Sequence, residues 1–219
     1  MSLTQELRRR HEELWDRVVN HPFVLELGAD TLPLEKFKRY FLQDYVFFRD
    51  FVSLLALGVA KAPDLNASRH LAAFLAEVLQ GEEQLFQGSF EQWGLEPEEY
   101  SRPAPSPPAA AFGDLMARVA YEGAFAEIMT VLVVTEWVYL DWATRAADLG
   151  RPDTPVYRAW TEIHSNEEFR KFVLWLLETL DGLDLSAEQE QRVRDLFHAT
   201  LRYELAFWEL GYNGGEWPV

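Results

Sequence analysis

The chain contains no cysteine. No disulfide can staple it, no thiolate can hold a metal, and no thiol can serve as a nucleophile. Basic residues are few beside acidic ones, 20 against 36, which leaves a formal net charge of −16. A surface of that sign repels phosphate backbones and anionic lipid, which argues against nucleic acid and membranes as partners. Long apolar runs are missing too. The two longest, residues 51–60 and 128–140, fall short of the roughly 18 residues of a membrane span, and the second carries Glu136. The first ten residues hold Glu6 and three consecutive arginines with no apolar stretch behind them, unlike a secretory leader. These absences together predict a cytoplasmic protein. Neither a Gly-rich phosphate loop nor Gly-x-Ser-x-Gly occurs. Five histidines (His11, His21, His70, His164, His198) form no His-x-x-x-His pair, and Glu-x-x-His is absent, so no metal is expected. His164-x-x-Glu167 spaces two candidate ligands one turn apart, but Ser165 and Asn166 between them mark a helix start.

Apolar residues and aromatics are plentiful, with eight Trp and fifteen Phe in 219 residues. That suffices for one sizeable core, and a single domain over residues 1–219 is the expected organisation. Strand signals are nearly absent, since no clean alternating run and no Asn-Gly or Asp-Gly hairpin separates apolar stretches. Helical periodicity runs throughout. Helices are expected over about 3–20, 33–61, 66–93, 109–121, 124–149, 155–164, 169–180 and 186–211. Ala62-Pro63 ends the second, Gly94 stops the third, Thr154-Pro155 opens the sixth, Ser165 or Asn166 caps the seventh, and Ser186-x-x-Gln189 is a capping box for the last. Between them, residues 94–108 form the one biased segment. Its prolines forbid a helix interior, and it reads as a connection within one domain, because neither half alone can bury its apolar faces. About eight helices with mostly short loops give an all-α bundle.

Three of these helices carry acids among apolar and aromatic neighbours, where a buried charge needs a reason. Asp44, Phe47, Phe48 and Phe51 share one helix face. A carboxylate beside rings suits a flat heterocycle bearing an amine, held by hydrogen bonds and stacking; an Asp at the edge of a core stripe would look the same. Glu136 lies within thirteen nearly apolar residues and shares a face with Leu132, Thr135 and Tyr139. Burial would raise its pKa into the range of a group that exchanges protons near neutrality; a register-fixing or outward-facing Glu is the other reading. Glu204 shares a face with Phe207 and Trp208, although a terminal helix often turns such acids to water. Gly81-Glu82-Glu83 reads as a solvated helix face.

Several segments together resemble the thiaminase II (TenA) family. These are His21-Pro22-Phe23-Val24, the block Leu32-Pro33 with Phe37, Tyr40 and Gln43-Asp44, then Phe125-Ala126-Glu127-Ile128 and Trp137-Val138-Tyr139. Pro155-Val156-Tyr157 with Trp160, and Tyr203-Glu204-x-x-Phe207-Trp208, complete the set. The resemblance extends from about residue 5 to residue 212. It implies a heme-oxygenase-like helical fold, a homo-oligomer (dimer or tetramer), no cofactor, and hydrolysis of thiamine-derived aminopyrimidines for salvage. By position, Asp44 resembles the acid that holds the pyrimidine's amino group and ring nitrogen, Glu204 the acid that donates a proton, and Tyr139 a lining residue beside the reacting carbon. Four departures stand out. The family's cysteine position falls at Thr135, two of its pocket tyrosines fall at Phe47 and Phe112, and a third falls at or near His164. A threonine hydroxyl with no base beside it is a poor nucleophile at neutral pH. The chain therefore looks like the cysteine-free branch of the family, which is described as using glutamates and as accepting formylated pyrimidines too. Glu136 is the expected base that activates water, with Glu204 protonating the departing amine. Two alternatives remain: a binding protein that kept the pocket and lost the reaction, and an oxidase resembling pyrroloquinoline quinone synthase. A heme protein would need a proximal His, for which His11 and His21 are the available residues.

Overall fold

The computed structural model describes residues 1–101, 104–215 and 217, and among these all regular structure is helical. Arg102 and Pro103 of the proline-rich connection lie outside the described residues. The helices are α1 (Leu3–Arg10), α2 (Glu12–Val19), α3 (Pro22–Gly28), α4 (Leu34–Lys61), α5 (Leu65–Glu77), α6 (Glu83–Gln92), α7 (Pro97–Ser101), α8 (Pro107–Glu122), α9 (Phe125–Leu149), α10 (Pro155–Ser165), α11 (Glu167–Asp181) and α12 (Ala187–Asn213). A single π-helical turn, Val78–Glu82, joins α5 to α6.

All eight expected helices are present, and the larger number has identifiable causes. His11 leaves helical geometry and splits the first into α1 and α2. The π-turn splits the third. Helix α7 forms inside the 94–108 connection. Helix α3 occupies a stretch that lay between the first two expected helices: His21 caps it by accepting the Phe23 amide on Nδ1 at 3.1 Å, and Pro22 takes the first position, where no N–H is needed. The capping boxes Ser2–Gln5 and Ser186–Gln189 are both closed. Asn166 caps α11 through the Phe169 amide at 2.8 Å.

Helix α9 is the axis of the bundle. It touches α2, α3, α4, α8, α10, α11 and α12, and residues 125–136 are buried without a break. A helix apolar on every side belongs in such a place, which explains why its sequence shows no amphipathic stripe. Aromatic side chains fill the space around it. Trp15, Trp142, Trp160 and Trp208 are all fully buried, and Tyr40, Phe23 and Trp208 meet at ring separations of 4.8 to 5.3 Å. Lys61, at the end of α4, donates to the carbonyls of Ala120 and Gly123 at 2.8 and 2.6 Å, satisfying the end of α8. That clamp fixes the two helices bearing Asp44 and Phe112.

Gly211 on α12 lets the helix approach α3 and α4 closely: a Cβ there would stand 2.9 Å from Tyr40 Cβ and 3.0 Å from Phe23 Cε2. Neither ring can yield without shifting others. Gly211→Ala is therefore expected to lower stability by about 1–3 kcal/mol, despite alanine's better helix propensity, and thermal melting of the variant checks it.

Candidate active site

Six elements converge on one cavity. Helix α4 contributes Asp44, Phe47, Phe48 and Phe51, the face its three- and four-residue spacing requires. The π-turn adds Glu82, α8 adds Phe112 and Met116, and α9 adds Thr135, Glu136 and Tyr139. Trp160 and His164 come from α10, Glu204 and Phe207 from α12. All eight residues singled out from sequence (Asp44, Phe47, Phe112, Thr135, Glu136, Tyr139, His164 and Glu204) thus line the same space. Among the described residues no Lys or Arg lines it.

The walls are rings. Phe47 packs edge-on against Phe207 at 4.9 Å and lies 5.3 Å from Phe112, while Tyr139 and Trp160 stand 4.7 and 4.6 Å from His164. Such a lining accepts a flat ring by stacking or edge contact. The Tyr40 and Tyr139 hydroxyls are 2.7 Å apart, which fixes Tyr139 from behind.

The acids are held in a dry environment. Asp44 is 8 % exposed, and burial raises its pKa to about 7, with the Tyr40 hydroxyl acting in the opposite direction. Burial raises Glu136 to about 8, the Thr135 hydroxyl opposes this, and the Asp44 charge adds to it. Glu204 is 1 % exposed, and its Oε2 has no hydrogen-bond partner among the described residues. Its pKa is raised well above normal by burial, then by Glu136 and Asp44. The reading that turned Glu204 to water is corrected: on α12 it lies on the buried stripe of Leu201, Phe207 and Trp208. His164 is pushed down to about 4 by burial. Its Nδ1 stands 2.9 Å from the Trp160 carbonyl, which only accepts, so the proton sits on Nδ1 and Nε2 is bare.

Thr135 departs from expectation. A base does stand beside it, since its hydroxyl donates toward Glu136 Oε1 at 3.0 Å. The same hydroxyl also lies 3.1 and 3.2 Å from the carbonyls of Val131 and Leu132. One proton thus serves three acceptors, and two of them tie the hydroxyl back to its own helix.

Glu82 was missed. Gly81 is exposed as expected, but Glu82 turns inward to the cavity. Its pKa is raised well above normal by burial, then by the Asp44 and Glu136 charges. The available signal was its register: Val78, Glu82 and Phe86 are four residues apart, and Val78 and Phe86 are buried. His11 and His21 are elsewhere. His11 stacks on Phe197 and lies tilted against His198, and His21 caps α3, so neither faces the cavity. Among the described residues no three carboxylates and imidazoles are grouped so as to share a metal ion, and no helix is long and apolar enough to cross a membrane.

Comparison with known proteins adds three findings. The model of the TENA/THI-4/PQQC family matches residues 8–214. The aminopyrimidine aminohydrolase of Halalkalibacterium halodurans is 28 % identical over 220 residues, covering 99 % of this chain and 98 % of the relative; that of Bacillus subtilis is 29 % identical, covering 99 % and 92 %. The solved TenA homologue from P. horikoshii OT3 superposes with a TM-score of 0.88 at 30 % identity, over 98 % of this chain and 100 % of that one. A Shewanella denitrificans domain with a heme oxygenase-like fold superposes at 0.73 and 17 % identity over 96 % and 92 %, a likeness of fold alone.

Proposed function

Because the chain belongs to the TENA/THI-4/PQQC family, we propose that it is a hydrolase of thiamine-derived aminopyrimidines, replacing the amino group of an aminomethyl-pyrimidine, or its formylated form, by hydroxyl in pyrimidine salvage. The relatives named aminopyrimidine aminohydrolase support this class. The observation that carries it to this chain is the convergence of Asp44, Glu136 and Glu204, from three separate helices, on one ring-lined cavity that no Lys or Arg among the described residues lines. A single domain acting in the cytoplasm as a homo-oligomer, without a cofactor, completes the reading; exposed Leu25, Tyr121 and Leu149 leave apolar surface for a second copy.

In this reading the pyrimidine ring lies among Phe47, Phe112 and Phe207, and Asp44 accepts hydrogen bonds from the exocyclic amine. Water attacks the methylene carbon as the C–N bond breaks. Glu136 takes the water's proton and Glu204 gives one to the departing nitrogen, so the products are an alcohol and an amine. The roles follow from the surroundings. The Glu136 anion has the Thr135 hydroxyl to stabilise it. The Glu204 anion would have no donor on Oε2 and would face two other acids. Glu136 therefore ionises first and serves as base, and Glu204 keeps its proton and serves as acid.

The Thr135–Glu136 contact favours a second arrangement, with Thr135 as nucleophile in the cysteine's position. Attack by threonine on the methylene would leave an alkyl ether, whose hydrolysis is harder than the original step, and direct attack by water is therefore preferred. One pair of variants tests both readings by ammonia release from an aminomethyl-pyrimidine. Glu136→Gln is expected to lower kcat by about 10²–10⁴-fold, whereas Thr135→Ala is expected to cost less than about ten-fold, the loss of one neighbouring hydrogen bond. A full rate for Glu136→Gln would overturn the water mechanism, and an inactive Thr135→Ala would favour the covalent one.

Two other functions compete. A binding protein would take up hydroxymethyl-pyrimidine calorimetrically yet release no ammonia from its amino analogue. An oxidase acting on a polyanionic quinone precursor would need cations, and among the described residues this cavity offers only a neutral His164; oxygen consumption with that precursor would revive it.

A further inference from the structure

A second cavity adjoins the first. It is lined from the outside by Glu77, Gly81 and Asn166, all exposed, and from within by Glu82, Glu136 and His164, which also line the inner cavity. These three side chains are the partition between the two spaces. Glu136 and His164 are buried to within 7 % and 6 % of complete exclusion, and Asp44 and Glu204 are similarly enclosed. Glu82 alone among the four acids keeps partial contact with solvent. Among the described residues no hydrogen bond or ion pair ties its carboxyl down. It is carried on a π-turn, a wider and locally less regular stretch than the α-helices on either side.

We propose that Glu82 is the proton-relay carboxyl of the site, passing protons between buried Glu136 and the water of the outer cavity. This rests on the hydrolytic reading above. In each turnover a C–O bond forms and a C–N bond breaks, Glu136 gains the water's proton, and Glu204 loses one to nitrogen. Resetting the site takes one proton from Glu136 and returns one to Glu204, with no net change. Glu82 accepts the proton from Glu136 and releases it outward, and the proton that Glu204 recovers enters through the same carboxyl. Every group facing Glu82 suits this task. Asp44 from α4, Glu136 and Tyr139 from α9 and His164 from α10 bring at most negative charge or none at neutral pH, and Glu77 on the neighbouring turn adds another acid. Among the described residues no fixed cation pins a proton-free carboxylate in place, so nothing there opposes the uptake of a proton.

The reading for Glu82 as a mere wall residue differs in what its removal does. Glu82→Gln keeps the size and loses the relay. It is expected to lower kcat about 10–100-fold with KM changed by less than about three-fold, and formate or acetate, small enough for the outer cavity, is expected to restore part of the rate. Glu82→Asp is expected to keep most of it. A test independent of turnover follows the infrared carbonyl bands of the protonated buried carboxyls after transfer to D2O. Their shift is expected to be about ten-fold or more slower in Glu82→Gln, because exchange must then await opening of the bundle. Equal exchange rates in the two proteins overturn the proposal whether or not the protein hydrolyses pyrimidines, as does an unchanged kcat or a loss confined to KM. Slow exchange in Glu82→Gln, with no ammonia released by the parent chain, upholds the relay and overturns the hydrolase reading instead.

Discussion

Glu204→Gln is expected to abolish ammonia release, by about 10²–10⁴-fold in kcat, while the protein remains as stable as the parent or becomes more so. The two halves of this outcome have one cause. Glu204 is 1 % exposed, its Oε2 lacks a partner among the described residues, and Asp44 and Glu136 repel its charge. It is therefore a neutral carboxylic acid in the resting protein. Glutamine has the same shape and is also neutral, so the fold loses nothing by the exchange and is spared the cost of ionising a buried group. What disappears is the transferable proton. Thermal melting and single-turnover ammonia release on the same sample check both halves. A variant that turns over within ten-fold of the parent would remove Glu204 from the chemistry, and one that melts far below it would mean that the carboxyl holds α12 in place.

Raising the pH from about 6.5 to above 8 is expected to destabilise the protein by several kcal/mol, on the order of 1.4 for each unit of pKa displacement. Asp44 and Glu136 titrate at about 7 and 8 in the folded chain, and Glu82 and Glu204 are displaced in the same direction. In the unfolded chain such groups titrate near their ordinary values, 3.8 and 4.5. Between those values and the folded ones, the folded state binds more protons than the unfolded, so stability falls as pH rises. The contribution is fully present below the ordinary values and is lost through the folded ones. His164 acts in the other direction, but only between about 4 and its ordinary 6.5: there the unfolded chain binds the extra proton, and stability rises with pH. Above 6.5 the carboxyls act unopposed by that histidine, which makes this the window to measure. Chemical denaturation at a series of pH values is the check. Asp44→Asn combined with Glu136→Gln is expected to flatten the slope, and an unchanged slope would mean that the cavity acids are not the titrating groups.

The residues that periodicity alone could align were legible before any coordinates. Asp44, Phe47, Phe48 and Phe51 had to share a face, and they line the cavity together. Glu136 stood out because thirteen nearly apolar residues surround it, and α9 proves to be the buried axis. Glu204 was ambiguous for a physical reason. Helix α12 has a wet side and a buried side, and which of them Glu204 faces depends on α4 and α9, far away in sequence. Resemblance, not spacing, made it a candidate. Glu82 was passed over because exposed Gly81 and the charged Glu83 flank it, although its register with Val78 and Phe86 pointed inward; the change of helical pitch at residues 78–82 cannot be read from side-chain types. Helix α3 was overlooked because His-Pro suggests a loop, whereas here the imidazole supplies the cap and the proline the first turn.

Thr135 lines the cavity at the position where the resemblance places the family's cysteine, and no sulfhydryl exists anywhere in the chain. Alkylating agents, heavy metals and glutathione exchange therefore have nothing to capture at the reacting position. A compound meant to silence this protein must be sought among cationic flat rings or carboxyl-directed reagents, and those designed to trap a thiol should pass it by.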